Sequence, residues 1–259
     1  MIDFYGERKL SFYTTKRESA PLAVAIHRST PELKPLKSPP PLVPGAPHDL
    51  AEKTFVFDVW AVNTTVRDAD VQLEIRLFDT ETGESRGKRR LGRRALPSNR
   101  SLELIEDSEV DDKTAVQAIM FDSRGSVIAR ASDWPQPLKY VRLPPAYDIR
   151  LQVLDGRVEI TSNFPVKGLE IYMASEERKV TWEDNCVDVF PDDTYVINAT
   201  DVREGDDVRM RYYGVDWVPN KPDEDVSPKV HINGSSAPLV NGSSKALLNG
   251  STDDSTSTA

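Results

Sequence analysis

Short stretches in which apolar and polar residues alternate recur along most of this 259-residue chain. One stretch places Phe55, Phe57 and Val59 on one side, and another, Val71 to Asp79, has an apolar face opposite a charged one. A repeat of two residues is typical of a β-strand that buries one face. Turn-forming sequences separate these stretches. The alternation therefore predicts an all-β fold of two consecutive antiparallel, immunoglobulin-like sandwiches.

Proline-rich stretches indicate how the strands are divided. Pro31 to Pro47 offers too few N–H donors for regular structure, and Trp134 to Pro145 is a second connector. The predicted organisation is a strand-and-helix segment 1–21, a first sandwich 22–134 with the loop 31–47, a linker 135–146, a second sandwich 147–218 and a tail 219–259. The predicted strands are 22–28, 54–63, 71–79, 88–96, 101–106, 115–121, 126–132, 148–154, 157–162, 168–173, 186–189, 194–198 and 207–213.

The first 21 residues do not fit this β-pattern. Ile2 to Tyr5 predicts a short strand, Gly6 interrupts it, and a helix is predicted from about Lys9 to Ala20, where Pro21 ends it. One strand and one helix cannot bury a core, so the segment needs another surface. We expect its aromatic side chains to fold back on a sandwich or to promote self-association. They are Phe4, Tyr5, Phe12 and Tyr13.

The tail from Pro219 onward loses apolar periodicity, which predicts disorder because little hydrophobic area could offset the ordering entropy. It repeats an Asn-Gly-Ser-Ser/Thr motif that is also an N-glycosylation sequon. The chain has six sequons, at Asn63, Asn99, Asn198, Asn233, Asn241 and Asn249. They matter only in a secretory pathway. The N-terminus has no signal-peptide pattern, so we expect a cytoplasmic protein as encoded, or a secreted one if the natural start lies upstream.

Charge and hydropathy argue against two classes of partner. The net charge of −9 disfavours nonspecific binding to nucleic acid or anionic membranes. No apolar run approaches the roughly 18 to 20 residues that span a bilayer. The basic run Lys88 to Arg94 lacks interleaved aromatic residues for base stacking, so a solvated strand face is the preferred interpretation. The nearby Gly83 to Lys88 is one residue short of a phosphate loop.

No catalytic, cofactor-binding or metal-binding residue is predicted. An acidic cluster lacks the glycine and terminal glutamate of a calcium loop, so we interpret its members as turn and strand-edge carboxylates. The cluster is Asp184, Asp188, Asp192 and Asp193. The histidines His27, His48 and His231 lie far apart. Cys186 has no positioned partner and is expected to be a half-buried strand residue. The other carboxylates are assigned mainly to turns and to solvent faces of strands.

Three stretches resemble β-mannosidases of glycoside hydrolase family 2, with fungal members the most similar. Asp3 to Pro21 resembles the last strand-to-helix passage of that family's barrel, although Leu10 replaces the usual proline. Ser132 to Tyr140 resembles the link between its two C-terminal sandwiches. In the third stretch, four short motifs resemble the terminal immunoglobulin-like domain of that family: Gly168 to Tyr172, Asp184-Asn185, Asp188 to Pro191 and Arg211 to Gly214.

The resemblance implies an enzyme that hydrolyses terminal non-reducing β-D-mannose residues with retention, using two barrel glutamates. Both glutamates should lie N-terminal to Met1, so this chain would be the non-catalytic accessory part, inactive alone. A β-mannoside or manno-oligosaccharide would be its partner only within a full-length enzyme. A truncated gene model of a longer, active protein is a further interpretation.

The alternative function is a stand-alone carbohydrate-binding or adhesion sandwich. Such modules present exposed, coplanar aromatic side chains, and the four tryptophans are the candidates. Trp60 fits a core position and Trp134 fits a wedge between domains. Trp182 and Trp217 could be exposed, but a structural role is the preferred interpretation.

Overall fold

The alternating stretches form strands in a computed structural model, which describes residues 1–4, 6–29, 55–144, 148–175 and 178–214 and the backbone of 229–232. The proline-rich loop, His48, Trp217 and the tail sequons lie outside these residues. The elements are α1 (Leu10–Glu18), β1 (Leu22–Ser29), β2 (Phe55–Asn63), β3 (Ala69–Asp79), β4 (Ser85–Leu96), β5 (Arg100–Val110), β6 (Thr114–Phe121), β7 (Val127–Asp133), a 3-10 turn (Leu138–Tyr140), β8 (Asp148–Leu154), β9 (Arg157–Ser162), β10 (Val166–Met173), β11 (Thr181–Trp182), β12 (Val187–Val189), β13 (Tyr195–Thr200), β14 (Val208–Arg211) and β15 (Lys229–Ile232).

The first sandwich packs the sheet β1-β2-β5 against the sheet β4-β3-β6-β7. All neighbouring strands in it are antiparallel. The predicted inward face of β3 is confirmed, since Val71, Leu73 and Ile75 are buried with residues of β2 and β6. Trp60 differs from the prediction: it is half-buried and lies on the opposite side of β2 from the buried Phe57.

The second sandwich packs the sheet β11-β13-β9-β8-β15 against the sheet β12-β10-β14. The hairpin β8–β9 turns at Gly156, whose φ of +77° suits glycine. Ile149, Leu151 and Val153 alternate inward along β8 and are at most 1% exposed. Both sandwiches confirm the all-β fold class, and α1 is the one α-helix among the described residues.

One strand lies inside the tail for which the sequence predicts disorder. Lys229–Ile232 form β15, which pairs in parallel with Asp148 to Leu151 of β8. For these residues the prediction was wrong. The free backbone groups at the edge of β8 offer hydrogen bonds that a short segment of the tail can use, and hydropathy does not report them.

The N-terminal segment packs on the second sandwich. Ile2 makes an isolated antiparallel bridge with Arg8 in place of the predicted strand, because Gly6 reverses the chain with a φ of +81°. Tyr13 of α1 is only 4% exposed and belongs to the core of the second sandwich, with Phe12 packed against it. Phe4 remains 95% exposed. No helix in the described part of the chain is long and apolar enough to cross a membrane.

We expect Tyr13→Ala to lower the free energy of unfolding by about 3 kcal/mol, because truncating a buried aromatic side chain leaves a cavity. Phe4→Ala is the matched control and should change it by about 0.5 kcal/mol or less, as at most exposed sites. Urea unfolding followed by fluorescence measures both. Equal stability of the two variants would contradict the packing of α1.

Candidate functional site

The outer face of the sheet β4-β3-β6-β7 is polar, yet much of it is buried. The strand register aligns Arg76 with Gln117 and Ser132 across one row, and Glu74 with Ile119 and Arg130 across the next. Side chains in such rows lie side by side on one face of a sheet. Residues 188–193 of the second sandwich lie over this face, so the two rows form the contact between the sandwiches.

Arg130 and Asp193 form the central ion pair of this contact. Arg130 Nε donates to Asp193 Oδ2 at 2.9 Å, and its Nη2 donates to Oδ1 at 2.8 Å. Gln117 Nε2 donates to the same Oδ2 at 2.7 Å. The guanidinium carbon lies 4.6 Å from the centre of the Tyr195 ring, a cation–π arrangement. Burial opposes the charge of Arg130, but the hydrogen bonds and charge of Asp193 outweigh it and raise the pKa of Arg130.

Asp188 joins both sandwiches through four donors. Its Oδ2 accepts from Trp134 Nε1 at 2.8 Å, from Lys167 Nζ at 2.8 Å and from the hydroxyl of Ser132. Its Oδ1 accepts from the backbone N–H of Gly168 at 2.7 Å. Ser132 and Trp134 belong to the first sandwich and its connector, and Lys167 and Gly168 to the second. The carboxylate therefore fixes one end of the contact.

An apolar cluster lies beside Asp188. Trp134 and Phe190 have ring centres 5.7 Å apart, and Phe78 lies 5.6 Å from Phe190. With Ala115 these residues are at most 3% exposed. Phe78 and Ala115 are in the first sandwich and Phe190 in the second. The prediction that Trp134 wedges between domains is thus confirmed.

The same sheet face holds a buried carboxylate surrounded by cations. Glu74 is 0% exposed, and its oxygens lie 2.6 Å from Arg76, 2.9 Å from Lys88 and 2.7 Å from Arg90. Arg76 also donates to the backbone oxygen of Asp192 at 2.9 Å. Burial would raise the pKa of Glu74, but hydrogen bonds from Lys88 and Arg76, with their charges, together lower it. The expectation that acidic residues lie mainly in turns or on solvent faces of strands does not describe Glu74, because an alternating pattern does not show which polar strand face neighbouring side chains cover.

Helix α1 is joined to the same region by cationic side chains. Arg17 pairs with Asp184 and donates to the backbone oxygens of Asn185 and Cys186, each at 2.9 Å. Asp184 also accepts from the hydroxyl of Tyr195 at 2.8 Å. Burial, followed by the negative charge of Asp184, raises the pKa of Tyr195, which therefore stays a neutral donor.

The structure adds a role to the acidic cluster. Three of its members, Asp184, Asp188 and Asp193, each form an ion pair with an arginine or lysine side chain. They occupy turn and strand-edge positions, as predicted, and they also join elements of the fold. Among the described residues, no three or more His, Cys, Asp or Glu side chains are grouped so that they could hold a metal ion. Cys186 is half-buried, as predicted, but it precedes β12 and is not a strand residue. Burial raises the pKa of its thiol. His27 is largely exposed beside Asp58.

Two cavities open along the contact between the sandwiches. One has a volume of ≈ 390 Å³ and the other ≈ 330 Å³, and both are bordered by Arg17, Glu18, Val24, Arg130 and Tyr195. Sequence reasoning did not find them, because their walls come from α1, β1, β7 and β13, which are distant along the chain. The sequence signal for them was the polar side of the alternating pattern in β7.

We expect Asp188→Ala to lower the free energy of unfolding by about 3 kcal/mol, because it leaves the buried indole N–H, an amide and an ammonium group without an acceptor. Asp112→Ala removes an exposed carboxylate and serves as the control, with a change of about 0.5 kcal/mol or less. Urea titration measures both. A wild-type-like value for Asp188→Ala would contradict the joining role of this carboxylate.

The lowered pKa of Glu74 predicts a pH dependence. A carboxyl whose pKa is lower in the folded state stabilises the protein above its ordinary pKa of 4.5, and this contribution is lost as the pH falls through the folded value. Wild-type stability should therefore decline below about pH 4.5. Glu74→Gln should be less stable at pH 7 and show a shallower acid decline. Parallel slopes for the two proteins between pH 7 and pH 3 in urea titrations would refute this.

Known proteins with related sequences are β-mannosidases. Residues 56–140 match the family model of the Mannosidase Ig/CBM-like domain. The chain is 30% identical over 229 residues to β-mannosidase B of Thermothelomyces thermophilus and 24% identical over 226 residues to that of Aspergillus niger. Each match covers 83% of this chain and 25% of the relative. The chain thus spans about a quarter of the length of the curated relatives it matches.

The fold is also found in a solved structure. The β-D-mannosidase of Dictyoglomus thermophilum superposes with a TM-score of 0.59 at 19% identity, over 82% of this chain and 24% of that one. This superposition covers a larger part of the chain than the domain matched at residues 56–140. The solved structure supports the fold, and the sequence relatives and the domain match show that this chain is similar to a quarter-length part of β-mannosidases that includes a Mannosidase Ig/CBM-like domain.

Proposed function

We propose that the two sandwiches are the non-catalytic accessory domains of a β-mannosidase-like glycoside hydrolase. The activity of the whole enzyme would be hydrolysis of terminal non-reducing β-D-mannose residues. A β-mannoside or manno-oligosaccharide would then be a partner only of the full-length protein. We assign no catalytic, cofactor-binding or metal-binding residue to this chain. In this proposal the sandwiches act as a scaffold for the catalytic part.

The observation that carries this proposal is the contact between the sandwiches. Asp188 and Asp193 each accept hydrogen bonds from groups of the first sandwich, and the cluster around Trp134 excludes water beside them. Charges that are buried in pairs hold one relative orientation, because any slip leaves a charge without its partner. A scaffold must have such a fixed orientation, whereas a tethered binding module does not require one.

The organisation that we propose keeps the boundaries expected from sequence, except that β15 of the tail adds a strand to the second sandwich. The segment 1–21 would adjoin the catalytic part, 22–134 and 147–218 would be the sandwiches, 135–146 the linker and 219–259 the tail. Packing of Tyr13 in the second sandwich supports a bridging role for the first segment. Cytoplasmic location, secretion from an upstream start, self-association and the absence of nucleic-acid or membrane partners stay predictions.

The alternative of a stand-alone carbohydrate-binding module with a tryptophan platform receives no support from the described residues. Trp134 is 3% exposed and Trp182 is 7% exposed, so neither ring presents a flat face to solvent. Trp182 lies in the core of the second sandwich, where its backbone oxygen accepts from Arg8 at 2.9 Å. Trp60 is half-buried and has no tryptophan neighbour in the register of β2.

Two proteins test the proposal. The purified chain should release no p-nitrophenol from p-nitrophenyl β-D-mannoside above the buffer blank. A chimera of the Thermothelomyces thermophilus enzyme that carries this chain in place of its matching quarter should hydrolyse the same substrate. Asp188→Ala in the chimera should lower the thermal midpoint while kcat/KM stays within about twofold, because a scaffold residue acts on stability. Hydrolysis by the chain alone would overturn the proposal.

A further inference from the structure

Two long strands lie together at one free edge of the first sandwich. Within the described residues, β4 pairs only with β3 and β5 only with β2, so the outer side of each strand keeps backbone N–H and C=O groups without a strand partner. β1 lies against β6 and β7, which leaves β4 and β5 on the opposite side of the sandwich. The β4/β5 edge, formed by Ser85–Leu96 and Arg100–Val110, is therefore a template for pairing with another chain.

β4 is strongly basic, although the whole chain has a net charge of −9. Arg89 and Arg93 are exposed and form no ion pair with any residue that the structure describes. Lys88 and Arg90 are exposed too, and both pair with the single carboxylate of Glu74. β4 therefore carries an excess of positive charge that the rest of the described chain does not neutralise.

β5 carries the opposite charge. Its exposed acidic residues are Glu103, Glu106, Asp107 and Glu109. None of these carboxylates forms an ion pair with a described residue. Local desolvation, followed by the negative charges of Glu106, Asp58 and Asp107, raises the pKa of Glu103. The carboxylates of β5 therefore repel one another and are available to a cationic partner.

The charges on the two strands match in position. β4 ends and β5 begins at the turn around Ser98, so the strands leave this turn beside each other and in opposite directions. Arg93 and Glu103 are equally far from Ser98 in sequence, and so are Arg89 and Asp107. These pairs therefore lie at similar levels along the strands. Within one chain they belong to different sheets, which are about 10 Å apart in a sandwich, and no ion pair joins them in the described structure.

A twofold axis parallel to the strands would bring these pairs into contact between two chains. The rotation keeps each residue at its level and places β4 of one protomer beside β5 of the other, in antiparallel orientation. Arg93 then meets Glu103, Arg89 meets Asp107, and each pair occurs twice. Pairing β4 with β4, or β5 with β5, would instead oppose like charges. The charges therefore fit a second copy of this chain and specify which strands meet.

We propose that the β4/β5 edge is the interface of a twofold-symmetric homodimer. β4 of each protomer lies antiparallel to β5 of the other, so each sheet of the first sandwich continues into a sheet of the partner protomer through backbone hydrogen bonds. Both strands are used at once, which closes the assembly at two chains. This surface is separate from the aromatic residues of segment 1–21, and dimerisation does not depend on the proposed accessory role.

Sedimentation velocity of the whole chain tests the interface. The wild type should dimerise, and its Kd should rise about tenfold or more between about 50 mM and about 500 mM NaCl, because salt screens exposed ion pairs. Arg93→Glu and Glu103→Arg each turn two attractive pairs into repulsive ones and should raise the Kd about tenfold or more. Arg124→Glu, which reverses an exposed arginine in the turn before β7, is the matched control and should dimerise like the wild type.

A mixture of the two variants separates the contact from any effect on folding. The Arg93→Glu chain presents a carboxylate at both positions and the Glu103→Arg chain a guanidinium at both, so an equimolar mixture should form a heterodimer although each variant alone is mostly monomeric. A wild type that stays monomeric up to about 100 µM, where a Kd of about 10 µM gives mostly dimer, would overturn the inference. So would a mixture that stays monomeric, or a dimer that Arg93→Glu leaves intact and Phe4→Ala abolishes.

Discussion

Charged side chains are largely removed from water on the outer face of one sheet, and the rest of the architecture depends on their neutralisation. Arg130 would be costly to remove from water alone, and Asp193 likewise. Each is tolerated because the other lies within 2.9 Å, with two hydrogen bonds in parallel. The same holds for Asp188 and its donors. The two sandwiches can therefore be stable in only one relative position.

Because of this constraint, directional ion pairs and hydrogen bonds, more than buried hydrophobic area, fix how the two sandwiches contact each other. The apolar part is confined to a small cluster around Trp134 and Phe190. Ion pairs add little to stability when they are buried, because desolvation offsets their attraction, but they penalise every misaligned arrangement. A polar contact also leaves gaps, since charged groups pack by direction and distance and do not fill volume as aliphatic side chains do. The two cavities lie along this contact.

The N-terminal helix extends the same arrangement to a third element. Tyr13 provides the apolar anchor in the second sandwich, and Arg17 provides the directional one through Asp184. Asp184 is shared with Tyr195, whose ring lies under Arg130. Movement of α1 would therefore shift Asp184 and Tyr195, and through them the position of Arg130 in the central ion pair. For an accessory unit, this is a direct physical route by which a preceding domain could be held in register with both sandwiches.

The sequence by itself determined the strands, because a two-residue repeat is a local property of the pleated backbone. It placed Val71, Leu73 and Ile75 in a core, Trp134 between domains and a helix before Pro21. Three stretches of residues also indicated the β-mannosidase family. Only the tertiary structure decided which polar faces of the strands are buried. Glu74 and Gln117 have the sequence pattern of solvent-facing residues, but Arg76, Lys88 and Arg90 surround Glu74, and Gln117 lies against Asp193 of the second sandwich. Burial of a polar face depends on long-range contacts that no local repeat encodes, so the contact between the sandwiches and its cleft could be seen only in three dimensions.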